Sequence, residues 1–147
     1  MRLVLDTNVV ISALVWGGVP YQLLQAAAAG TVDLYTSPVL LDELRGVLAR
    51  PHLAQRLMGQ QRSVEQAVEF YAKLCRSVEP LHTPRTVPND PDDDHVVATA
   101  IEAQAHLIVS GDKHLLQLKD SISIPVLKAQ DALLRIGGGD QDRDLSP

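Results

Sequence analysis

Several residue types that would point to particular protein classes are scarce in this chain. Cys75 is the only cysteine among 147 residues, so no internal disulfide can form and an oxidising compartment is not indicated. Phe and Trp occur once each, so a core must be built mainly from Leu, Val, Ile and Ala. No apolar run approaches the roughly 20 residues that a membrane span needs, and the run before Asp6 is too short for a signal peptide. We therefore expect a cytoplasmic protein without a membrane contact.

Positive charge is also scarce. Lys and Arg number 13 against 18 Asp and Glu, and the formal net charge is −5. Nucleic-acid binders are often basic, so this balance counts against one. The distribution weakens the objection, because residues 44–87 hold seven Lys or Arg and only three Glu. Moreover, carboxylates that hold divalent cations do not repel phosphate as bare charges would.

The chain has the length of one domain, and short apolar strands alternate in it with helices. Strands are predicted at 2–5, 32–36, 77–81, 107–109 and 124–127. Helices are predicted at 8–15 with Asn8 as its cap, 21–29, 37–49, 53–57, from 63 with a Ser63–Gln66 capping box, 96–105, and 129–136. This alternation predicts an α/β fold with three α/β/α layers around a central, mostly parallel β-sheet. We expect the domain to cover residues 1–136, followed by a disordered polar tail over 137–147.

Acidic residues gather near the carboxyl ends of the predicted strands. They come from four segments: Asp6, Glu43, the run Asp92-Asp93-Asp94, and Asp112. Asp6 directly follows the first strand, and Asp112 follows strand 107–109 after a two-residue turn. Functional groups of parallel sheets collect in the crevice at this edge, so we expect the four segments to meet there.

Each acid has an ordinary structural explanation when it is taken alone. Asp6 suits a helix N-cap, the run 92–94 a solvated helix start, Glu43 an exposed helix face and Asp112 a turn. Capping alone does not readily bring four of them to one edge. Crowded carboxylates repel unless a cation neutralises them, and oxygen ligands suit hard ions such as Mg²⁺. The pattern therefore predicts a site for one or two divalent ions.

The acidic motifs resemble those of the PIN-domain family over about residues 1–136. The matching segments are LDTNV at 5–9, LDEL at 41–44, DPDDDH at 90–95 and LIVSGDKHLL at 107–116. Within the family, the chain is similar to the toxin component of bacterial toxin–antitoxin systems, with VapC-type toxins as relatives. The resemblance implies a PIN-like fold and an endoribonuclease that depends on Mg²⁺ or Mn²⁺. It also implies a homodimer or higher homo-oligomer and an antitoxin that plugs the site.

The resemblance assigns metal-ligand roles to Asp6, Glu43 and Asp112. The remaining acid is open to two assignments. Asp94 has the spacing to Asp112 of many VapC-type toxins, whereas Asp93 fits the Asp-Pro-x-Asp pattern of the closer branch. We take Asp94 as the ligand, with Asp93 near it as a catalytic residue.

Further polar residues flank these acids. Ser110 stands where the family often has Thr, and we expect its hydroxyl to hydrogen-bond Asp6 or a metal-bound water. Asn8 is expected to support the site in the same way. His95, Lys113 and His114 fit phosphate or surface contacts better than metal ligation.

Three other functions compete with this interpretation. A haloacid-dehalogenase-like phosphatase requires a second Asp two residues after the first, where Asn8 stands here. A receiver-type phosphotransfer domain requires an acid at the end of a middle strand, and the second strand ends at Thr36. A catalytically silent PIN-fold binding or assembly module remains the main alternative, although acids at all four places favour activity.

Overall fold

A computed structural model of the protein describes residues 1–81, 91–117 and 122–145, and only the backbone of 91–93 and 138–145. These residues form five strands and eight helices. In chain order they are β1 (Arg2–Leu5), α1 (Thr7–Val15), α2 (Gly18–Ala28), β2 (Asp33–Thr36), α3 (Pro38–Leu48), α4 (Pro51–Gly59), α5 (Val64–Leu74), β3 (Cys75–Ser77), α6 (Pro91–Glu102), β4 (Leu107–Val109), α7 (Lys113–Leu116), β5 (Val126–Leu127) and α8 (Ala129–Leu145).

The five strands lie parallel in one sheet, in the order β3-β2-β1-β4-β5. β1 is central, and Leu3 pairs with Leu34 of β2 on one side and with Leu107 of β4 on the other. Parallel neighbours need crossover connections, and the intervening helices supply them. The carboxyl ends of β1, β2 and β4 therefore lie side by side at one edge of the sheet.

Helices cover both faces of this sheet, because successive strand residues point to opposite sides. Leu3 and Leu5 pack into a large cluster with apolar side chains of α1, α2, α5 and α8. Val4 and Ile108 pack into a second cluster that includes Val96 of α6. The predicted three-layer α/β/α fold with a parallel sheet is thus confirmed.

Several predicted boundaries near the strands are wrong. β5 covers Val126–Leu127 rather than 124–127, and α6 covers Pro91–Glu102 rather than 96–105. α1 begins at Thr7 with Asp6 in the N-cap position, so Asn8 does not cap it. Asp6, Thr7 and Asn8 are all residue types that are common at N-caps. The amide of Asp6 still pairs with β4, so the backbone is extended up to Asp6 and the helix begins directly after it. β3 covers Cys75–Ser77 rather than 77–81, because α5 passes directly into the strand without a loop.

The last helix continues beyond its predicted end. α8 runs from Ala129 to Leu145, through the three glycines at 137–139. A glycine in a helix interior costs roughly 1 kcal/mol relative to alanine, which disfavours a helix without forbidding it. The helix includes most of the segment for which the sequence predicts disorder, and the division of the chain at residue 136 stays a prediction.

The described helices are short relative to the thickness of a membrane. No single one is long and apolar enough to cross a bilayer. α1 and α2 meet the criteria of length and composition only as a pair, and the two are bent by 95° relative to each other.

Candidate functional site

Polar residues follow the three strands that end side by side at the carboxyl edge. Asp6 follows β1, Ser37 follows β2 and Ser110 follows β4, and all three are buried. The amide of Asp6 donates to the carbonyl of Val109 at 2.9 Å, so the pairing of β1 with β4 extends as far as the first acid. Buried polar groups normally occur with hydrogen-bond partners, so their partners show how this edge is organised.

Asp6 is held by a side chain from the neighbouring strand. Its backbone occupies the N-cap position of α1, but its side chain makes no capping hydrogen bond. Instead the Ser110 hydroxyl donates to Asp6 Oδ2 at 2.8 Å, and Asp6 is only 4% exposed. Of the two partners expected for Ser110, Asp6 or a metal-bound water, the structure shows the hydrogen bond to Asp6, and N-capping does not account for the side chain of Asp6.

Ser110 also connects Asp6 to Asp112. The amide of Asp112 donates to Ser110 Oγ at 2.9 Å. The Asp112 side chain in turn caps α7, because Oδ1 accepts from the amide of His114 at 2.7 Å. The same oxygen also lies 3.4 Å from His114 Nδ1. Both contacts are to Oδ1, and a carboxylate has about four lone-pair sites, so Asp112 keeps capacity for a metal ion.

Asp94 lies in the first turn of α6 and is 1% exposed. After α6, the amide of His106 donates to the carbonyl of Arg2 at the start of β1, at 2.8 Å. α6 therefore runs from the carboxyl edge of the sheet back to the opposite edge. The first turn of α6, which contains Asp94, therefore lies towards the carboxyl edge of the sheet, where Asp6 is also found.

Glu43 and its neighbour Asp42 differ in their surroundings. Asp42 is exposed and pairs with Arg45 at 3.0 Å, so it belongs to the surface. Glu43 is partly buried in the second turn of α3, one turn after Leu40, which packs in the cluster containing Val96 of α6. Residues three apart lie on the same side of a helix, so Glu43 is on the side of α3 that carries Leu40 and faces α6.

One pair of buried hydroxyl groups at this edge was missed by the sequence analysis. Ser37, the N-cap of α3, shares a hydrogen bond with Thr99 of α6 at 3.0 Å, and both are buried. The Thr99 hydroxyl also lies 2.8 Å from the carbonyl of His95, so its single proton is shared between two acceptors. The sequence contains one signal of this pair, because Thr99 stands among Ala and Val in the predicted helix. A hydroxyl on such an apolar helix is expected to be buried and therefore to require a hydrogen-bond partner. The pair fixes the start of α6, and hence Asp94, against β2 and α3.

The other predicted site residues are placed mainly by the exposure of their side chains. Asn8, Lys113 and His114 are exposed, while His95 is partly buried. The side chain of Asp93 and the whole of Asp90 lie outside the described residues, so the choice between Asp93 and Asp94 as the third ligand stays a prediction.

We refer to Asp6, Glu43, Asp94 and Asp112 as the acidic rim. Its donors are carboxylate oxygens, and the buried hydroxyl of Ser110 orients one of them, which is the chemistry that Mg²⁺ and Mn²⁺ prefer. Among the side chains that the structure describes, which leave out those of 91–93 and 138–145, no group of three or more His, Cys, Asp or Glu is arranged to hold a metal ion. The donor types therefore fit a hard cation, and their convergence on one ion stays a prediction.

Comparison with known proteins gave matches along most of the chain. A model of the PIN domain matches residues 2–114. An uncharacterised protein of Methanocaldococcus jannaschii is 31% identical over 121 residues, which make up 82% of this chain and 76% of that protein. The solved structure of VapBC2 from Rickettsia felis, bound to a DNA fragment from their promoter, aligns with a TM-score of 0.59 at 14% identity, over 86% of this chain and 97% of that one. FitAcB from Neisseria gonorrhoeae aligns with a TM-score of 0.55 at 20% identity, over 87% and 98% respectively.

The two solved structures establish a shared fold, and the family match establishes the relationship. The matched segment ends two residues after Asp112, so it includes the whole acidic rim. PIN domains are in general nucleases that use divalent metal ions. Its sequence match and its parallel sheet together show that this chain belongs to the PIN-domain family.

Proposed function

We propose that the protein is an endoribonuclease that depends on Mg²⁺ or Mn²⁺ and hydrolyses RNA phosphodiester bonds at the acidic rim. The main support is the buried carboxylate of Asp6, which lies at the end of the central strand and accepts from Ser110 instead of capping α1. A buried carboxylate needs compensation by a donor or a cation, and such groups concentrate at functional sites.

The residues of the chain have distinct roles in this proposal. Asp6, Glu43, Asp94 and Asp112 would hold the ion, which when bound supplies electrophilic activation of the phosphate and of water. Ser110 orients Asp6 and, through the amide of Asp112, fixes the turn before α7. Asp93 lies beside Asp94 in the chain and is proposed to act with it, and Asn8 is proposed to support the site from the exposed start of α1.

Lys113 and His114 are candidates for substrate contacts. Both are exposed at the start of α7, directly after Asp112. The ammonium group of Lys113 neutralises a phosphate next to the acidic rim, which reduces the repulsion between the substrate and the carboxylates. His114 has ring N–H groups that can hydrogen-bond a phosphate oxygen. We propose that they position RNA rather than bind the metal.

Cleavage of RNA by the purified chain tests the proposal. With Mn²⁺ we expect cleavage that EDTA abolishes and that Asp6→Asn reduces at least a hundredfold, since the substitution removes one charged ligand. Asp33→Asn is the matched control, because Asp33 is exposed at the opposite end of a strand, and it should cleave like the wild type. Equal cleavage by both variants would assign the activity to a contaminant.

We further propose that the protein is the cytoplasmic toxin of a toxin–antitoxin pair, acting as a homodimer or higher homo-oligomer and inhibited by an antitoxin protein. The fold shared with VapBC2 and FitAcB supports this proposal. Induced expression of the wild type in bacteria should arrest growth, whereas Asp6→Asn should not. Growth arrest by both variants would indicate a binding effect and favour the catalytically silent PIN-fold module instead.

A further inference from the structure

α1 connects the acidic rim to an aromatic surface at the other edge of the sheet. The helix starts after Asp6 and is followed by Trp16, about 15 Å away at 1.5 Å per residue. Trp16 is 56% exposed, and Tyr21 in α2 is 37% exposed. Gly17 and Gly18 adopt positive φ angles of 77° and 68°, which makes the tight turn that leaves Trp16 at the end of the helix.

The position of Trp16 is fixed by side chains from the end of α4 and the loop after it. The guanidinium carbon of Arg56 lies 5.3 Å from the centre of the indole ring, within the range of a cation–π contact. Gln60 and Arg62 donate to carbonyls in the last turn of α1, which otherwise lack helical partners. The ring is thus presented to solvent on a rigid support.

A cavity of about 320 Å³ lies beside the ring. Trp16, Tyr21, Gln60 and Arg62 contribute to its lining. This volume is at the lower end of the range for small-molecule pockets, and it suits a flat group such as a nucleobase.

The charge around this cavity is positive although the whole chain is acidic. Residues 44–64 contain four arginines and no Asp or Glu. Asp42 and Glu65 both pair with Arg45, the first of these four arginines. Arg56 contacts the Trp16 ring, and Arg62 donates to the Leu14 carbonyl and to Gln60 Oε1. These partners are neutral, so the positive charges of Arg56 and Arg62 are not cancelled by them.

We infer that Trp16, Tyr21, Arg56 and Arg62, here called the Trp16 surface, bind single-stranded RNA by stacking a base on Trp16 and contacting phosphates through the arginines. Recognition of single strands typically combines aromatic platforms with positive charge. This inference rests on the proposed function, because it concerns how the RNA substrate is held. A protein partner is the competing occupant, since a neighbouring cavity of about 360 Å³ is lined by Met58, which is 73% exposed.

Trp16 fluorescence provides a direct test, because the chain has one tryptophan. Single-stranded oligoribonucleotide titrated into the full chain in EDTA should quench this fluorescence, with an affinity that falls as salt rises. RNA that binds by anisotropy without quenching, or that does not bind at all, would overturn the inference.

Variants separate stacking from general effects. Trp16→Ala should weaken RNA binding about tenfold or more, while Trp16→Phe should retain most of it. Met58→Ala removes an exposed apolar side chain from the same region and should bind like the wild type. A larger loss for Met58→Ala than for Trp16→Ala, or a change in oligomeric state with Trp16→Ala, would assign the surface to a protein partner.

A second pair of variants tests the role of charge. Arg56→Gln should weaken binding more than Arg135→Gln, which removes the same charge from an exposed site on α8. Equal effects would show that Arg56 acts only through the net charge of the protein, and this would contradict the inference. Failure of the two proposals is distinguishable, because quenching without cleavage refutes the nuclease alone, whereas cleavage without quenching refutes the Trp16 surface alone.

Discussion

Replacement of Ser110 by alanine removes the hydrogen bonds that join Asp6 to the turn of Asp112. The bond to the Asp6 carboxylate is charge-assisted, and such bonds contribute about 1.5–3 kcal/mol. The bond from the Asp112 amide adds less, because Asp112 is partly exposed and its amide can be hydrated. We therefore expect Ser110→Ala to lower the free energy of unfolding by about 2–3 kcal/mol.

Urea denaturation followed by far-UV circular dichroism, in EDTA, measures this loss without a contribution from metal binding. The slope of the unfolding free energy against urea should not change, and Tm should fall by roughly 5–10 °C for a chain of this size. Ser123→Ala, at an exposed position, is the control and should stay within about 0.5 kcal/mol of the wild type. A loss below about 0.5 kcal/mol for Ser110→Ala would show that the buried serine does not hold Asp6.

Two further perturbations test other parts of the structure. Thr99→Val removes the buried hydrogen bond to Ser37 and should lower the free energy of unfolding by about 1–2 kcal/mol in urea denaturation. Thr31→Val, at a partly buried position, is the control, and an equally small loss for both variants would contradict the structural role of Thr99. Burial raises the pKa of Cys75 to about 12, against a smaller lowering by its hydrogen bond with Tyr71, so the native thiol should react with iodoacetamide far more slowly at pH 8 than the unfolded thiol. Because the unfolded thiol ionises near its ordinary pKa and the folded thiol does not, stability should fall as pH rises from about 9 to about 12, and Cys75→Ala should reduce that fall. Equal thiol reactivity in both states would refute the burial.

The strands that position the site were predictable because their boundaries are chemically sharp. β1 and β4 have the predicted bounds, since each apolar run ends at a polar residue, Asp6 or Ser110. The Ser63–Gln66 capping box is likewise present as predicted, because its two hydrogen bonds depend only on residues three apart. Local chemistry is sufficient in such cases.

Tertiary contacts explain what the sequence did not show. β3 has an exposed edge-strand pattern without apolar alternation, so its pairing with β2 gave no local signal. Ser37 and Thr99 are 62 residues apart, and their contact depends on how α6 crosses the sheet. The burial of Asp94 likewise depends on that crossing, and the residue type, which Asp92 and Asp93 share, could not predict it.

Binding of Mn²⁺ to the acidic rim, measured by calorimetry or electron paramagnetic resonance, tests the central claim most directly. Wild-type protein should bind the ion, and Glu43→Gln should weaken binding at least tenfold. Asp42→Asn, one residue away on the exposed side of α3, should leave it unchanged. Equal affinities in all three proteins, or no binding by the wild type, would contradict the claim that these carboxylates form a metal centre.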